Sequence, residues 1–230
     1  MVNKTHLARG VIFDLDGTLI HTTIDFAAMK SGVLRILVEA GVPRGALDPL
    51  RTTTENQLRG VAYLAGHGGD AEGALDRTSA LMSDVEMHGV LATRPINSAA
   101  AAVAALRGMH LRVGVLTRGS RAYSTQALRS ADLWHLIEWM VCRDDFPEEE
   151  AKPSSLALHR AAAGLGLKAE ECIMVGDHLM DLECARAAGS AFAGVLTGSG
   201  DEALWRREGV RLIVADVGEL PHLLCPGRQD

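Results

Sequence analysis

The sequence predicts an α/β fold, in which a parallel β-sheet with helices on both faces carries a small all-helical insert after its first strand. Short apolar segments typical of buried strands alternate with helical segments over the second half of the chain. The stretch between the first predicted strand and this alternating region has helical periodicity and no strand pattern. We therefore expect a core domain of residues 1–20 and 93–230, and an inserted helical domain of residues 21–92.

The first strand is predicted at 11–13, where a valine, an isoleucine and a phenylalanine form a short apolar run. The insert that follows contains three predicted helices, because apolar residues recur on one face of each of them. These helices are predicted at about 29–40, 49–65 and 71–87. Gly41 and Pro43 end the first helix, as small and ring-constrained residues commonly do.

The remainder of the core domain alternates strictly between the two element types. Predicted strands lie at 111–116, 138–142, 171–175, 191–196 and 212–214. Predicted helices lie at 99–107, 120–130, 153–163 and 179–188, and one more precedes the last strand. Because strands joined by crossover helices pair in parallel, we expect all of these strands to share one sheet with the first strand.

Composition and charge exclude several classes of function. Apolar residues make up 47% of the chain, which allows a large buried core, and the formal net charge is −6. Scattered basic residues and a sequence pI near 5.8 argue against nucleic-acid binding. The apolar stretches are far shorter than the roughly 20 residues that cross a bilayer. The polar N-terminal residues also do not resemble a signal peptide. We expect neither a nucleic-acid nor a membrane partner, and the oligomeric state stays open.

The cysteines indicate a reducing environment. Cys142, Cys172, Cys184 and Cys225 form neither a CxxC pair nor a metal-like spacing with histidine. Buried free thiols explain this distribution better than a disulfide or a zinc site does. We therefore expect a cytoplasmic protein.

Charged and hydroxyl side chains gather where the predicted strands end, which is the edge at which open parallel sheets bind their ligands. In chain order they are Asp14, Asp16, Thr117, Lys152, Asp177 and Asp181. Taken singly, each has an ordinary explanation as a turn residue, a helix cap or a solvated lysine. Together they place several carboxylates, a hydroxyl and an ammonium group at one edge of the sheet, from points far apart in the sequence.

The segments that carry these residues resemble the motifs of the haloacid dehalogenase-like hydrolase superfamily. The resemblance is closest to the phosphoglycolate-phosphatase-like branch with a helical cap. The segments are Asp14-Leu-Asp-Gly-Thr-Leu, Val115-Leu-Thr-Arg, Lys152-Pro and Val175-Gly-Asp-His-Leu-Met-Asp. They occur in the family's order and at its usual distances, and they span most of the chain. The resemblance implies a Rossmann-like core with a cap, and a Mg²⁺-dependent phosphatase that acts on a small phosphorylated metabolite such as phosphoglycolate.

The same resemblance implies a role for each motif residue. Asp14 would attack phosphorus and form an aspartyl phosphate, while Asp16 would donate a proton to the leaving group, and Lys152 and Thr117 would complete the catalytic set. The implied Mg²⁺ ligands are Asp14, Asp177 and Asp16, the last through its backbone carbonyl, with Asp181 beside them. The implied contacts with the substrate phosphate are Thr117, Arg118, Lys152, Gly17 and Thr18. Relatives that dehalogenate carbon lack the second acid of the first motif, so Asp16 favours phosphate chemistry.

Other functions remain open at this point. A phosphosugar mutase of the same branch uses the same aspartyl phosphate, although Thr117-Arg118 resembles the phosphatase version of the second motif. A signalling receiver domain also combines a phosphoaccepting aspartate with threonine and lysine, but it is about half this length. A catalytically silent binding protein is disfavoured because the motif residues are intact. Substrate choice is expected in the cap, where Arg51, Arg59 and Arg77 are candidate anion ligands, and His178 is expected to be incidental.

Overall fold

The computed structural model describes residues 8–224 of the 230-residue chain, and the chain divides into two compact units. One unit contains the described residues up to Thr22 and from Ala92 onward, and the other is Thr23–Leu91. Cys225, for which a buried thiol is predicted, lies outside the described residues. Within residues 8–224, no helix combines the length and the apolarity that crossing a bilayer requires.

The first unit is built on a parallel sheet. Its strands are β1 (Gly10–Phe13), β2 (Ile20–His21), β3 (Arg94–Pro95), β4 (Arg112–Leu116), β5 (Trp139–Val141), β6 (Cys172–Gly176), β7 (Ala191–Val195) and β8 (Leu212–Val214). Six of them form one sheet in the order β5-β4-β1-β6-β7-β8, and every neighbouring pair in it is parallel. The strand that is first in sequence is therefore central, between β4 and β6.

Helices follow the strands in the alternating pattern that the sequence predicts. Those of the second unit are α1 (Phe26–Glu39), α2 (Thr53–Gly66) and α3 (Ala71–Gly89). Those of the first unit are α4 (Ala99–Gly108), α5 (Arg121–Ser130), α6 (Ser155–Gly164), α7 (Leu179–Ala187), α8 (Glu202–Arg207) and α9 (Leu220–Leu224).

Both faces of the six-stranded sheet are covered. Ile12 and Met174 lie in one buried apolar cluster with alanines and leucines of α6 and α7. Val11 and Phe13, which alternate with Ile12 along β1, point to the opposite face and are fully buried as well, and α4 packs against β4. A parallel sheet covered on both faces explains why the strands are apolar at almost every position. The predicted α/β fold is confirmed.

The second unit is a bundle in which each of its three helices packs against the other two. The helix starts are fixed by side-chain caps, and Thr52 and Glu55 form a capping box that starts α2. This box is the reason that α2 begins at Thr53 and not near residue 49. Gly60 lets α1 approach closely, since a β-carbon there would lie 2.7 Å from the methyl groups of Leu37.

Three short elements, β2, β3 and α9, were not expected from the sequence. β2 and β3 form a separate antiparallel pair in which Ile20 faces Pro95 and His21 faces Arg94. Strands of two residues are too short to show an alternating pattern, so the pairing leaves no periodicity to detect. The helix α9 is likewise too short to show a helical periodicity in the sequence.

Candidate active site

The sheet brings three of the predicted site residues to one edge. Asp14 follows β1, Thr117 follows β4 and Asp177 follows β6, and these are the three adjacent central strands. The ladder continues into the site, because the Asp14 N–H donates to the Val175 carbonyl at 2.8 Å and the Thr117 N–H donates to the Val141 carbonyl at 3.0 Å. The backbone at these residues is therefore held as rigidly as the sheet itself.

Three carboxylates form a buried group at this edge. Asp14, Asp177 and Asp181 each offer an oxygen atom, and these atoms lie within 4.8 Å of one another. Burial is the main cause that raises the pKa of Asp14 well above its ordinary value; Lys152 opposes the rise, and the charges of Asp181 and Asp177 add to it. The three carboxylates thus carry more negative charge than the single ammonium group of Lys152 can balance.

Lys152 is the ammonium group inside this cluster. Its Nζ donates to Asp14 Oδ1, and also to Asp181 Oδ1 at 2.7 Å. Only 3% of its side chain is exposed. Burial alone would lower the pKa of Lys152, but the two carboxylates raise it above its ordinary value, so the side chain stays charged.

Asp181 connects this ion pair to the start of α7. Its Oδ2 accepts the His178 N–H at 3.1 Å, while its Oδ1 accepts Lys152. His178 caps the same helix, because its Nδ1 accepts the Met180 N–H at 3.1 Å. His178 therefore has a structural role that was not predicted from the sequence. Because Asp181 accepts hydrogen bonds from both Lys152 and the His178 N–H, it links Lys152 to the start of α7.

Asp177 is held by the loop that follows β7. The Ser199 N–H donates to Asp177 Oδ2 at 2.6 Å, and the Ser199 hydroxyl lies 2.9 Å from the same oxygen. Gly198 is needed for this approach, because a β-carbon there would collide with the Asp177 carboxylate. The loop therefore places two donors beside one carboxylate oxygen of Asp177, and the Ser199 hydroxyl also lies 3.0 Å from the Asp177 carbonyl oxygen.

Gly17 and Thr18 lie in the turn after β1. Gly17 has a φ of 79°, which suits glycine, and its carbonyl accepts the Thr197 hydroxyl at 2.6 Å. A β-carbon at Gly17 would lie 2.8 Å from Asp177 Oδ2, so this turn passes directly beside the carboxylates. The Thr18 hydroxyl is buried and has no hydrogen-bond partner among the described residues. Contact of either residue with substrate stays a prediction.

Thr117 and Arg118 differ in what engages them. Thr117 is buried, and its Oγ1 accepts the Gly119 N–H at 3.0 Å, which leaves its own hydroxyl hydrogen to donate. The Arg118 guanidinium is paired with Glu148 and donates to the Lys152 carbonyl at 3.0 Å. Arg118 therefore supports the segment that carries Lys152, and its predicted contact with substrate stays a prediction.

Asp16 does not join the carboxylate group through its side chain. That group, among residues 8–224, consists of the other three acids, whereas the Asp16 carboxylate accepts the hydroxyl of Tyr123. Its implied role as a metal ligand concerns the backbone carbonyl and stays a prediction. The two acids of the first motif thus occupy different environments, one beside an ammonium group and one beside a phenol.

The carboxylate group fits a metal ion. Its donors are oxygen atoms, which hard divalent cations prefer. Its buried negative charge exceeds the single positive charge of Lys152, and the charges of Asp181 and Asp177 add to the rise in the pKa of Asp14 that burial mainly causes. A cation among these carboxylates would offset that excess.

Comparison with known proteins places the chain in a family. The sequence pattern of the family described as haloacid dehalogenase-like hydrolase matches residues 11–195, which contain every predicted site residue. The chain belongs to this family. Membership confirms the resemblance drawn from the motifs and the prediction of an enzyme of the haloacid dehalogenase-like hydrolase type.

Similar proteins support the assignment of the chain to this family. A phosphoglycolate phosphatase of Neisseria meningitidis is 27% identical over 217 residues, which are 94% of this chain and 92% of that protein. A phosphoglycolate phosphatase of Cereibacter sphaeroides is 32% identical over 191 residues, 80% of this chain and 83% of its own length. The crystal structure of a hydrolase from Pseudomonas syringae shares the fold, with a TM-score of 0.69, 22% identity, and coverage of 94% and 97% of the two chains.

Sequence reasoning missed two residues that touch the site of this haloacid dehalogenase-like hydrolase. Ser199 lies in the loop after β7 but not at the strand end, so the rule that located Asp14 and Asp177 indicates this loop and not the residue itself. Tyr123 lies in the first turn of α5, and nothing in the local sequence relates it to Asp16, which is 107 positions away. The loop of Ser199 was therefore predictable from strand ends, whereas Tyr123 required the tertiary structure.

Proposed function

We propose that this chain is a Mg²⁺-dependent phosphatase that cleaves a small phosphomonoester through an aspartyl phosphate on Asp14. The observation that carries the proposal is the buried carboxylate group. In it, Lys152 donates to both Asp14 and Asp181, and Asp177 lies beside them. A carboxylate nucleophile is repelled by a phosphate ester unless cations neutralise both. The group provides one cation and the oxygen ligands for a second, which is the arrangement that phosphoryl transfer requires.

The carboxylates of Asp14 and Asp177, with the backbone carbonyl of Asp16, would hold the Mg²⁺ ion. When bound, the ion supplies positive charge between the nucleophile and the phosphate oxygens. Ser199 supports this role, because its two donors fix one oxygen of Asp177 and so orient that carboxylate.

The chain's own groups account for the phosphoryl transfer. Asp14 is ionised beside the cations, and one of its oxygens attacks phosphorus in line with the leaving oxygen. Lys152 compensates charge on Asp14 and on the phosphate, and Thr117 donates its hydroxyl hydrogen to a phosphate oxygen. Water then hydrolyses the aspartyl phosphate and restores the Asp14 carboxylate.

Asp16 transfers the protons in this scheme. It gives a proton to the leaving oxygen as the phosphorus–oxygen bond breaks, and it accepts one from the water that attacks the aspartyl phosphate. The separate environments of Asp14 and Asp16 support this division, since one contacts Lys152 and the other Tyr123.

Phosphoglycolate is the substrate that we propose first, since the two curated relatives above are phosphoglycolate phosphatases. The core motifs recognise phosphate and metal but not the rest of the molecule. The proposal therefore extends to small phosphorylated metabolites as a class, with an aliphatic leaving oxygen.

A panel of phosphomonoesters assayed with Mg²⁺ tests the proposal. We expect phosphate release from phosphoglycolate and from p-nitrophenyl phosphate, and a loss of at least about 10³-fold in kcat/KM for Asp14→Asn with both. Because asparagine is close to aspartate in shape, the variant should fold, and a thermal unfolding measurement checks this directly. Phosphate release by a folded Asp14→Asn would contradict the proposal, as would conversion of β-glucose 1-phosphate to the 6-phosphate without release of phosphate.

A further inference from the structure

Tyr123 reaches the acid of the first motif from another part of the sheet. It lies on α5, which follows β4, and its hydroxyl donates to Asp16 Oδ1. The side chain is fully buried. A buried tyrosine hydroxyl needs a polar partner, and here that partner is the carboxylate proposed to transfer the proton.

The ring of Tyr123 is held in place by the two residues that directly follow the second motif. A β-carbon at Gly119 would lie 2.8 Å from Tyr123 Cδ1, so the absence of a side chain at Gly119 lets the ring pack against the backbone. Ser120 caps α5 with its hydroxyl, which accepts the Tyr123 N–H at 3.4 Å. The position of the hydroxyl is therefore set by the same segment that carries Thr117.

The hydroxyl of Tyr123 has one hydrogen to donate. Asp16 and Thr22 are both within hydrogen-bond distance, the latter at 3.2 Å between the two hydroxyl oxygens. The Asp16 oxygen is the nearer of the two, and Oδ1 can accept whether Asp16 is ionised or carries a proton on Oδ2, so the tyrosine hydrogen goes to Asp16 Oδ1. Tyr123 therefore engages one oxygen of Asp16 in both states of the acid.

We propose that Tyr123 is a positioning residue that holds Asp16 for proton transfer to the leaving group. With Oδ1 held by the tyrosine hydrogen, Oδ2 carries the proton that passes to the leaving oxygen as the phosphorus–oxygen bond breaks. Asp16 is then a carboxylate, and Tyr123 still donates to its Oδ1. This inference rests on the proposed function, because it assigns to Asp16 the role of proton donor.

The inference predicts a dependence on the leaving group. An aliphatic alkoxide needs a proton as it departs, whereas p-nitrophenolate is stable without one, so a misplaced Asp16 slows the first reaction selectively. The parameter to compare is kcat/KM, since it covers the steps up to departure of the leaving group and excludes hydrolysis of the aspartyl phosphate.

The experiment measures kcat/KM of Tyr123→Phe with p-nitrophenyl phosphate and with the alkyl phosphate that the panel shows to be turned over best. We expect a loss of about tenfold with the alkyl phosphate, and a change of less than about twofold with p-nitrophenyl phosphate. The matched control is Tyr63→Phe, which removes the hydroxyl of the chain's other tyrosine in the helical unit and should change neither value.

A second variant shows whether Tyr123 acts through Asp16. In Asp16→Asn, the further change Tyr123→Phe should cause no additional loss with the alkyl phosphate, because the group to be positioned is already missing. Equal losses with both substrates, no loss with either, or an additive loss in the double variant would overturn the inference. A failure of the proposed function is distinct, since it appears as activity that survives Asp14→Asn.

Discussion

The two units differ in the ion pairs that matter for function: the core unit has a buried one at the candidate site, whereas the arginines considered as anion ligands in the helical unit make exposed contacts. In the core unit, Lys152 is 3% exposed and shared by two carboxylates that are 10% and 1% exposed. In the helical unit, the Arg77 and Glu39 side chains pair at 3.1 Å while 53% and 47% exposed. Arg51 is similarly exposed and pairs with neighbouring acids, and Arg59 donates to the Ala46 carbonyl.

This difference in exposure indicates which charged groups have a role beyond folding. Exposed pairs contribute little to stability, because water screens them and long side chains must be ordered to form them. A buried group of three carboxylates and one ammonium is unfavourable unless something else is bound there, and folding alone does not explain its presence. Arg51, Arg59 and Arg77 already have partners in the helical unit, so nothing in their contacts singles one out as an anion ligand.

The largest effect on activity and stability is expected when the buried ammonium group of Lys152 is removed. Lys152→Met leaves two buried carboxylates without their partner, so kcat/KM should fall by at least about 10²-fold. The free energy of unfolding, measured by urea denaturation without Mg²⁺, should fall by about 3 kcal/mol. A variant with near-normal activity would show that the buried ion pair is structural only.

A smaller effect on the metal site is expected from the loop after β7. Ser199→Ala removes one of two donors to Asp177, and the Mg²⁺ dissociation constant, measured by titration calorimetry, should rise about tenfold. The control is Ser190→Ala, which removes a hydroxyl that donates to the Cys172 carbonyl at 2.7 Å. An equal change in both variants would mean that Ser199 does not act on the metal ligand.

The burial of Asp14 in the core cluster, with the charges of Asp181 and Asp177 beside it, also predicts a pH dependence. Because the pKa of Asp14 is raised in the folded protein, its protonation stabilises the metal-free fold fully below pH 3.8, and that contribution is lost as the pH rises towards the raised pKa. Mg²⁺ must displace the proton to bind, so the rise in Tm that it causes should be larger at pH 7 than at pH 5, by a few degrees. A larger rise at pH 5 would contradict the cluster as the binding site.

The smallest effect is expected in the helical unit. Arg77→Gln breaks an exposed pair, and the free energy of unfolding should change by less than about 0.5 kcal/mol in urea denaturation. A loss comparable to that of Lys152→Met would remove the contrast between the two units.

The sequence predicted the features that depend on strand ends and on periodicity. Six apolar runs were sufficient for the parallel sheet, and Asp14 and Asp177 were located because each follows one of them. What could not be predicted depends on side chains that meet across the fold, such as Tyr123 with Asp16 and Arg118 with Glu148. The local pattern around these residues specifies a helix or a loop but does not specify the partner.

The central claim is that Asp14 becomes phosphorylated during turnover. The most direct measurement quenches the enzyme during steady-state turnover of p-nitrophenyl phosphate, reduces the protein with borohydride and locates the modified residue by peptide mass spectrometry. Borohydride converts an aspartyl phosphate to homoserine, so the account predicts homoserine at position 14 and none in Asp14→Asn. Turnover with an unmodified Asp14, or with the phosphoryl group on another residue, would contradict it.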